Sequence, residues 1–310
     1  MNIVIALDRS RHARAVIQLL QQLRWPPGSA LTLLHVLDVV TTPGGWQLQY
    51  HPELWKNVKA ERKKLFDQAQ RFLERMAAQV RPVDASLEVL VEWGLPLTGI
   101  LEASKEQEAN LVVVGSHGFS GVRRFLLGSV SEGVLNSAPC SVLISRGRWK
   151  GGSRKRARGL RVLLAVDESE YALAAARMLR ALNVPAMSQI TILHVVKLPD
   201  DPLSQLLTVT APKFRKAAQA LIRVTKDRGR KVLERVRKVA AHRGLSIHPL
   251  LIEGHPAEEI IRAAVRTQAD LVILGSRGMT GLKGTILGSV SRRVARHAPC
   301  SVLVVRQTRR

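Results

Sequence analysis

The stretch Gly115–Ser131 reads GSHGFSGVRRFLLGSVS, and a related stretch, GSRGMTGLKGTILGSVS, occupies Gly275–Ser291. The two copies lie 160 residues apart and agree at nine of 17 positions. In the first copy the identical positions are Gly115, Ser116, Gly118, Gly121, Leu127, Gly128, Ser129, Val130 and Ser131. Each copy follows a run of four apolar residues, 111–114 or 271–274, which is typical of a buried strand. The pattern therefore predicts, twice, a strand that leads into a glycine loop and then into a helix beginning near the final Gly-Ser pair.

A glycine loop ahead of a helix is suited to binding phosphate. Glycine allows positive φ angles and lets an anion approach the backbone amides, because no Cβ stands in the way. A helix that begins at Gly128 and Ser129 would direct its free amides and the positive end of its dipole to the same place, and Ser131 adds a second hydroxyl. The simpler interpretation is a tight turn that needs glycine only for its geometry. The same glycine spacing in both copies favours the phosphate interpretation.

The repeat extends over nearly all of the 310 residues. Each half alternates strand and helix patterns, and the opening strand of each half ends in an aspartate, Asp8 or Asp167. A tandem duplication explains this order. The fold class we predict is α/β, with two domains, 1–146 and 160–310, that each contain a parallel sheet with helices on both faces. The basic, glycine-rich segment 147–159 is predicted to be a flexible linker.

Positive charge is concentrated in the second half. The net charge is +24, of which residues 1–146 contribute +3, residues 147–159 contribute +6 and residues 160–310 contribute +15. A long helix predicted over about 213–243 has 12 Lys and Arg against two Asp and Glu, whereas its first-half counterpart over 53–80 has seven against four. The apolar face of the second-half helix is predicted at Phe214, Ala218, Leu221, Ile222, Val232, Leu233, Val236 and Val239. The basic face is either a solvated surface or a docking surface for a polyanion, such as nucleic acid or an acidic protein.

The two aspartates suggest where a ligand would bind. Ligands of open parallel sheets bind beyond the carboxyl ends of the strands, at the point where the strand order reverses. Asp8 and Asp167 end the first strand of each half, and the glycine loops follow the fourth. If those strands are neighbours, each half gains a crevice with a carboxylate on one side and backbone amides on the other. Either aspartate could instead cap the helix that follows it.

Several familiar active-site patterns are absent from the sequence. There is no P-loop, no dinucleotide-binding GxGxxG motif, no Cys/His group with zinc spacing and no pattern typical of a Ser/His/Asp triad. His35 and His194 lie within apolar strand patterns and are predicted to be core or strand-end histidines rather than bases. His117 of the first loop is Arg277 in the second, so an essential base at this position would exist in only one half. The sequence thus offers no convincing catalytic group.

No membrane segment is indicated. No apolar run approaches the roughly 20 residues that cross a bilayer, and residues 2–8 are predicted to form a strand rather than a signal peptide. We therefore expect a soluble, cytoplasmic protein. Cys140 and Cys300 occupy equivalent places in the two halves and are predicted to be small buried side chains rather than redox or metal-binding groups.

The loop motif resembles the ATP-binding signature of the universal stress proteins, which is Gly-x-x-Gly, nine residues and Gly-Ser. Both halves contain it, and their LLHV or ILHV second strands and APCSVL last strands are similar to that family as well. The resemblance implies an open five-stranded parallel sheet of order 3-2-1-4-5 in each half. It implies an ATP, with Mg²⁺ left open, between the aspartate and the glycine loop, and a stress-response role without an established catalytic reaction. It also implies a dimer through the last strands, which a tandem chain would form internally; a further homodimer is left open.

The resemblance also implies which residues contact the nucleotide. In the first half these are Ala6, Asp8, Val36, Gly115, Ser116, His117, Gly118, Gly128, Ser129, Val130 and Ser131. In the second half they are Ala165, Asp167, Val195, Gly275, Ser276, Arg277, Gly278, Gly288, Ser289, Val290 and Ser291. No catalytic residue and no metal ligand is predicted. Two other functions stay open: an ATPase or nucleotidyl-transferring enzyme of the same fold, and a protein associated with polyanions or nucleic acid for which nucleotide binding is secondary.

Overall fold

A computed structural model of the chain describes residues 1–38, 52–80, 85–116, 127–146, 159–197, 212–241, 244–278 and 287–307. The chain divides into two compact units, Met1–Lys150 and Gly151–Arg306, here called the first and the second half. Residues 147–158 of the predicted linker lie outside the described residues, so its flexibility stays a prediction.

In the first half, strands and helices alternate as the sequence predicts. The elements are β1 (Asn2–Ala6), α1 (Arg11–Leu20), β2 (Ser29–Asp38), α2 (Pro52–Val80), β3 (Ala85–Gly94), α3 (Pro96–Glu106), β4 (Leu111–Gly115), α4 (Ser129–Ser137) and β5 (Ser141–Ser145). Neighbouring strands are parallel and follow the order β3-β2-β1-β4-β5. The predicted α/β class and strand order are confirmed for this half.

The second half repeats the same architecture. Its elements are β6 (Arg161–Val166), α5 (Glu170–Ala181), β7 (Gln189–Val196), α6 (Pro212–Ala240), β8 (Ser246–Glu253), α7 (Pro256–Arg266), β9 (Leu271–Gly275), α8 (Ser289–His297) and β10 (Ser301–Val305). The order of its parallel strands is β8-β7-β6-β9-β10. Both halves are therefore Rossmann-like α/β units of one topology.

The first and fourth strands of each half are direct neighbours. Ala6 of β1 is paired with Val114 of β4, and Ala165 of β6 is paired with Leu274 of β9. From β1 the chain passes to β2 on one side, whereas β4 lies on the other side. The strand order thus reverses between β1 and β4, and between β6 and β9, which is the condition for a ligand crevice at their carboxyl ends.

Helices cover both faces of each half, which explains the uniformly apolar strands. In the first half α1 contacts α2, and α3 contacts α4. Right-handed crossovers place the first pair on one face of the sheet and the second pair on the other. Strand residues 3–5 and 111–114 are at most 3% exposed. A strand buried on both faces shows a continuous apolar run rather than an alternating pattern.

The first helix of the chain ends earlier than its sequence pattern predicts. Apolar residues at helical spacing predict a helix over about 10–24, but α1 ends at Leu20. The chain leaves the helix early, and Leu23 and Trp25 pack into the core at 5% and 7% exposure. Tertiary packing therefore ends this helix ahead of the Trp-Pro-Pro-Gly sequence.

Along the predicted apolar face of the long second-half helix, burial differs between residues 221–224 and the C-terminal part. Leu233 and Val236 of α6 are buried, whereas Leu221 is 47% exposed and its neighbour Val224 is 48% exposed. A helix of 29 residues spans about 43 Å, but the eight-residue strand β8 beneath it spans only about 26 Å. The N-terminal part of α6 therefore extends beyond the strands on which its C-terminal part packs.

Gly229 is a close contact between α6 and the sheet. A Cβ at this residue would lie 2.7 Å from Leu251 Cδ1 and 2.8 Å from His194 Cδ2. The His194 ring cannot readily move, because its Nδ1 donates a hydrogen bond of 2.9 Å to the Val166 carbonyl. We predict that Gly229→Val lowers the free energy of unfolding by about 1–3 kcal/mol through overpacking, measured by urea denaturation. Ala220→Val, at an exposed position of the same helix, is the control; equal stability of both variants would contradict the prediction.

Candidate functional site

Each crevice has an aspartate on one side, and the serine two residues later orients it. Asp8 Oδ1 accepts hydrogen bonds from the hydroxyl of Ser10 at 2.6 Å and from its amide at 3.3 Å. Asp167 Oδ1 accepts the same two bonds from Ser169, at 2.5 Å and 3.0 Å. The serines, and not the aspartates, are the N-terminal caps of α1 and α5. The alternative interpretation of the aspartates as caps is therefore wrong, and each carboxylate keeps its Oδ2 directed elsewhere.

On the other side of the crevice, hydrogen bonds join the two ends of the glycine loop. The Ser116 amide donates to the Ser145 carbonyl at 2.9 Å, which attaches the start of the loop to the end of β5. The Gly128 amide donates to the Ser116 carbonyl at 2.9 Å, across 12 residues of sequence. The hydroxyl of buried Ser131 donates to the Gly115 carbonyl at 2.6 Å. The start of α4 is thus fixed against the end of β4.

The second half forms the same three bonds. The Ser276 amide donates to the Val305 carbonyl at 2.8 Å, and the Gly288 amide donates to the Ser276 carbonyl at 2.8 Å. The Ser291 hydroxyl donates to the Gly275 carbonyl at 2.8 Å. Two copies of one loop, with about half of their residues identical, therefore close in the same way.

The helices that follow the loops begin without a side-chain cap. Gly128 and Gly288 are the N-caps of α4 and α8, in extended conformation, and neither helix has a side-chain capping bond. Ser129 and Ser289, the first helical residues, are exposed. Because no side chain among the described residues caps the helix start, the first amides and the positive end of the helix dipole are available to an anion. This is the geometry that the glycine loops predict.

In the second half the structure brings the aspartate and the glycine loop together. A Cβ on Gly278 would lie 2.8 Å from Asp167 Oδ2, and a Cβ on Gly288 would lie 3.2 Å from the Ser276 carbonyl oxygen. Any larger residue at position 278 would meet the carboxylate. In the first half His117 and Gly118 lie outside the described residues, so their predicted place in the crevice stays a prediction.

The remaining residues of the predicted site lie along the same edge of each half. Ala6 ends β1, and Val36 lies near the carboxyl end of β2, the strand paired with β1. The others at this edge are Val130, Ala165, Val195 and Val290. The described residues of the predicted site therefore gather where the strand order reverses. Their contacts with a nucleotide stay predictions.

The two strand histidines are structural, as predicted. His35 and His194 are each 7% exposed, and their Nδ1 atoms donate to the carbonyls of Leu7 and Val166 at 2.6 and 2.9 Å. Burial lowers the pKa of His35, and its hydrogen bond to Leu7 offsets part of this effect. A ring bonded in this way fixes the path of the chain just before each aspartate.

Cys140 and Cys300 are both buried at the beginning of a last strand, which confirms their predicted place. Within the part of the chain that the structure describes, no group of three or more His, Cys, Asp or Glu could bind a metal ion. No helix among the same residues is long and apolar enough to cross a membrane.

Sequence reasoning missed one pair of side chains at the second crevice. Arg277 donates a hydrogen bond to the Tyr171 hydroxyl at 3.3 Å, and its guanidinium carbon lies 5.8 Å from the centre of the Tyr171 ring. A Cβ on Gly275 would lie 2.7 Å from Tyr171 Cβ. The sequence signal was that both members of the pair differ between the halves: the residues equivalent to Tyr171 and Arg277 are His12 and His117.

A family model, described as Universal stress protein family, matches residues 1–146 and 160–306. The chain belongs to the universal stress protein family. The single-domain universal stress protein YxiE of Bacillus subtilis is 32% identical over 146 residues, which cover 47% of this chain and 98% of YxiE.

Tandem members of the family match this universal stress protein over nearly its full length. One from Mycolicibacterium smegmatis is 28% identical, covering 98% of this chain and 96% of its own. Universal stress protein Rv2623 of Mycobacterium tuberculosis is 25% identical, covering 99% and 97%. The crystal structure of a universal stress protein from Archaeoglobus fulgidus matches with a TM-score of 0.62 at 22% identity over 98% of both chains, which supports the fold alone. The resemblance that the sequence suggested is thus confirmed for family, tandem organisation and fold.

The buried serines of this universal stress protein should contribute to stability. We predict that Ser131→Ala lowers the free energy of unfolding by about 1–2 kcal/mol, because the Gly115 carbonyl loses its donor; Ser291→Ala should act alike at Gly275. Ser129→Ala removes a serine hydroxyl from an exposed position of the same helix, and there we expect the free energy of unfolding to change by no more than about 0.5 kcal/mol. Urea denaturation measures all three. If Ser131→Ala were no more destabilising than Ser129→Ala, the bond to Gly115 would not be holding the loop.

Proposed function

We propose that this tandem universal stress protein binds one ATP in each half and acts as a regulatory or protective factor in a stress response. The observation that carries the proposal is found in each half. A helix begins at a glycine cap, with its first amides free of any side-chain cap, at the edge where the strand order reverses and where an oriented aspartate lies. Phosphate groups are the ligands to which such helix starts are best suited.

Within each crevice the nucleotide would take one orientation. The triphosphate would lie on the amides of the glycine loop and of the first turn of α4 or α8. Asp8 Oδ2 and Asp167 Oδ2 accept no hydrogen bond from the described residues, so they would accept those of the ribose hydroxyls. The adenine would lie against Ala6 and Val36, or against their second-half equivalents. The proposal covers ATP with or without Mg²⁺.

We further propose that the chain is not an ATPase of ordinary speed. A general base must reach the proton that it abstracts. His35 and His194 lie close to the aspartates, but each directs its Nδ1 hydrogen at a backbone carbonyl. Asp8 and Asp167 are each engaged by a capping serine through one oxygen. Their other oxygen is assigned here to the ribose.

We predict a stoichiometry near two in an isothermal titration of the nucleotide-free chain with ATP. Gly288→Val should reduce it to one, because a Cβ there already lies within 3.2 Å of the Ser276 carbonyl oxygen and a larger side chain would displace the loop. Gly128→Val should remove the other site by the same reasoning, and the double variant should bind none.

The outcomes separate the alternatives. A stoichiometry of zero for the native chain, after any bound nucleotide has been removed, would contradict ATP binding. Steady ATP turnover faster than about one per second, which is modest for a dedicated enzyme, would favour the enzyme of the same fold.

The charge of α6 favours a second candidate function, the docking of a polyanion. Part of that charge is neutralised by carboxylates: Lys226 pairs with Glu253, Arg230 with Asp227, Arg235 with Glu170 and Arg237 with Glu234. Four exposed cations form no ion pair among the described residues, and we call them the α6 stripe: Arg223, Arg228, Lys231 and Lys238. At about 100° per residue they lie within an arc of about 140° on the helix.

The α6 stripe reaches the edge of the second crevice. Arg228 and Lys231 line a surface cleft of about 330 Å³ together with Asp167 and Ser169. A polyanion on the stripe would therefore lie beside the nucleotide. Since the stripe has no aromatic side chain for stacking on bases, binding would be electrostatic and indifferent to base sequence.

We predict that replacing all four residues of the α6 stripe with Gln weakens binding to heparin or single-stranded DNA. The native affinity should fall steeply between about 50 and 200 mM salt, and the ATP stoichiometry should not change. The control replaces Lys59, Lys63, Lys64 and Arg71 of α2 with Gln, which removes the same charge from the first half. Equal retention of both variants on heparin would mean that the stripe is only a solvated surface.

A further inference from the structure

The two crevices differ in charge at equivalent positions of the sequence. In the glycine loop of the second half, the residue after the first serine is Arg277, and its first-half counterpart is His117. The fourth residue of α8 is Arg292, whereas the equivalent residue of α4 is Glu132, an acid in the first turn of its helix. The second half is therefore the more cationic of the two at these two positions of the loop and the helix start.

In the second half a tyrosine on the first helix orients the added arginine. Tyr171 lies in the first turn of α5, four residues after Asp167. Its hydroxyl accepts a hydrogen bond from Arg277 Nη1 at 3.3 Å. A Cβ added to Gly275 would lie 2.7 Å from the Tyr171 Cβ, so a side chain at that position would clash. At Gly278, the residue after Arg277, an added Cβ would lie 2.8 Å from Asp167 Oδ2. The beginning of this loop thus approaches Tyr171 of α5 at two points and Asp167, which precedes α5, at a third.

We propose that the two nucleotide sites are unequal, and that Arg277, oriented by Tyr171, makes the second site selective for the charge of the phosphate chain. This rests on the proposed function. Arg277 is the specificity-determining residue and Tyr171 is a positioning residue. The second site takes nucleoside triphosphates in preference to monophosphates and uncharged nucleosides, and the first site discriminates less.

The chemistry of the guanidinium supports this selectivity. Arginine is always charged, and its planar guanidinium has five donors in a geometry that matches phosphate oxygens. Charge-assisted hydrogen bonds to phosphate are about twice as strong as neutral ones. Orientation by Tyr171 reduces the ordering that binding would otherwise require. The α8 dipole acts on the same anion without the opposing charge that Glu132 places at the start of α4.

The experiment isolates the second site in the full chain with Gly128→Val and measures ATP, AMP and adenosine by isothermal titration. We expect Arg277→His, which introduces the first-half residue, to weaken ATP binding about tenfold and to leave adenosine within about twofold. Arg277→Lys keeps the charge and should lose less. Tyr171→Phe keeps the ring but not the hydroxyl, and should reduce the preference for ATP over adenosine by about threefold. In the reciprocal chain with Gly288→Val, the remaining first site should show the smaller ATP preference.

The results separate this inference from the function on which it rests. If the chain with Gly128→Val binds neither ATP nor adenosine, the nucleotide site itself is wrong. If it binds ATP, but Arg277→His weakens ATP and adenosine equally or weakens neither, then the sites are nucleotide sites and the selectivity through Arg277 is overturned. A loss of ATP preference in Arg277→His that Arg277→Lys largely restores supports the inference.

Discussion

The parallel pairing of the first strand with the fourth is the constraint on which the rest of each half depends. The pairs Ala6–Val114 and Ala165–Leu274 bring two chain segments that are more than 100 residues apart to one edge of the sheet. Because the chain passes from β1 to one side while β4 lies on the other, the strand order reverses there, which is where open parallel sheets bind their ligands. The aspartate that follows one strand and the glycine loop that follows the other come to lie on opposite sides of the crevice only through this pairing.

Backbone groups rather than side chains define most of the crevice. The loop closes through amide and carbonyl groups, Gly128 to Ser116 and Gly288 to Ser276, and each helix start offers amides without a side-chain cap. Backbone geometry of this kind requires glycine or a small hydroxyl residue at particular positions and constrains the other positions little. Accordingly, seven of the nine positions at which the two loops agree are glycine or serine. The serine hydroxyls divide into two groups, since Ser131 and Ser291 are bonded inward while Ser129 and Ser289 are exposed.

Local patterns predicted the strands, the long helices and the glycine-capped helix starts, because each of these depends on residues near in sequence. The resemblance to the universal stress proteins supplied the strand order, which no local pattern contains. What escaped prediction depends on distance in space. Asp8 and Ser10 are both good caps, and only the atomic distances show that the serine is the cap. The exposure of Leu221 follows from the length of the strands beneath α6, and the Tyr171–Arg277 contact joins residues 106 positions apart.

The duplicated chain provides an internal comparison, because both halves form the same fold from different sequences. The two halves have the same residue where a side chain closes the loop or lies at the edge where the strand order reverses. The matching pairs are Ser131 and Ser291, His35 and His194, and Asp8 and Asp167. Where a residue only borders the crevice, the halves diverge, and the charge changes in both directions: Glu132 is replaced by Arg292, whereas Arg9 is replaced by Glu168. Charge at the rim costs the fold little, since surface ion pairs contribute only about 0–1 kcal/mol each. It acts strongly on an anionic ligand, however, so a duplicated fold can keep its stability while its two sites acquire different ligand preferences.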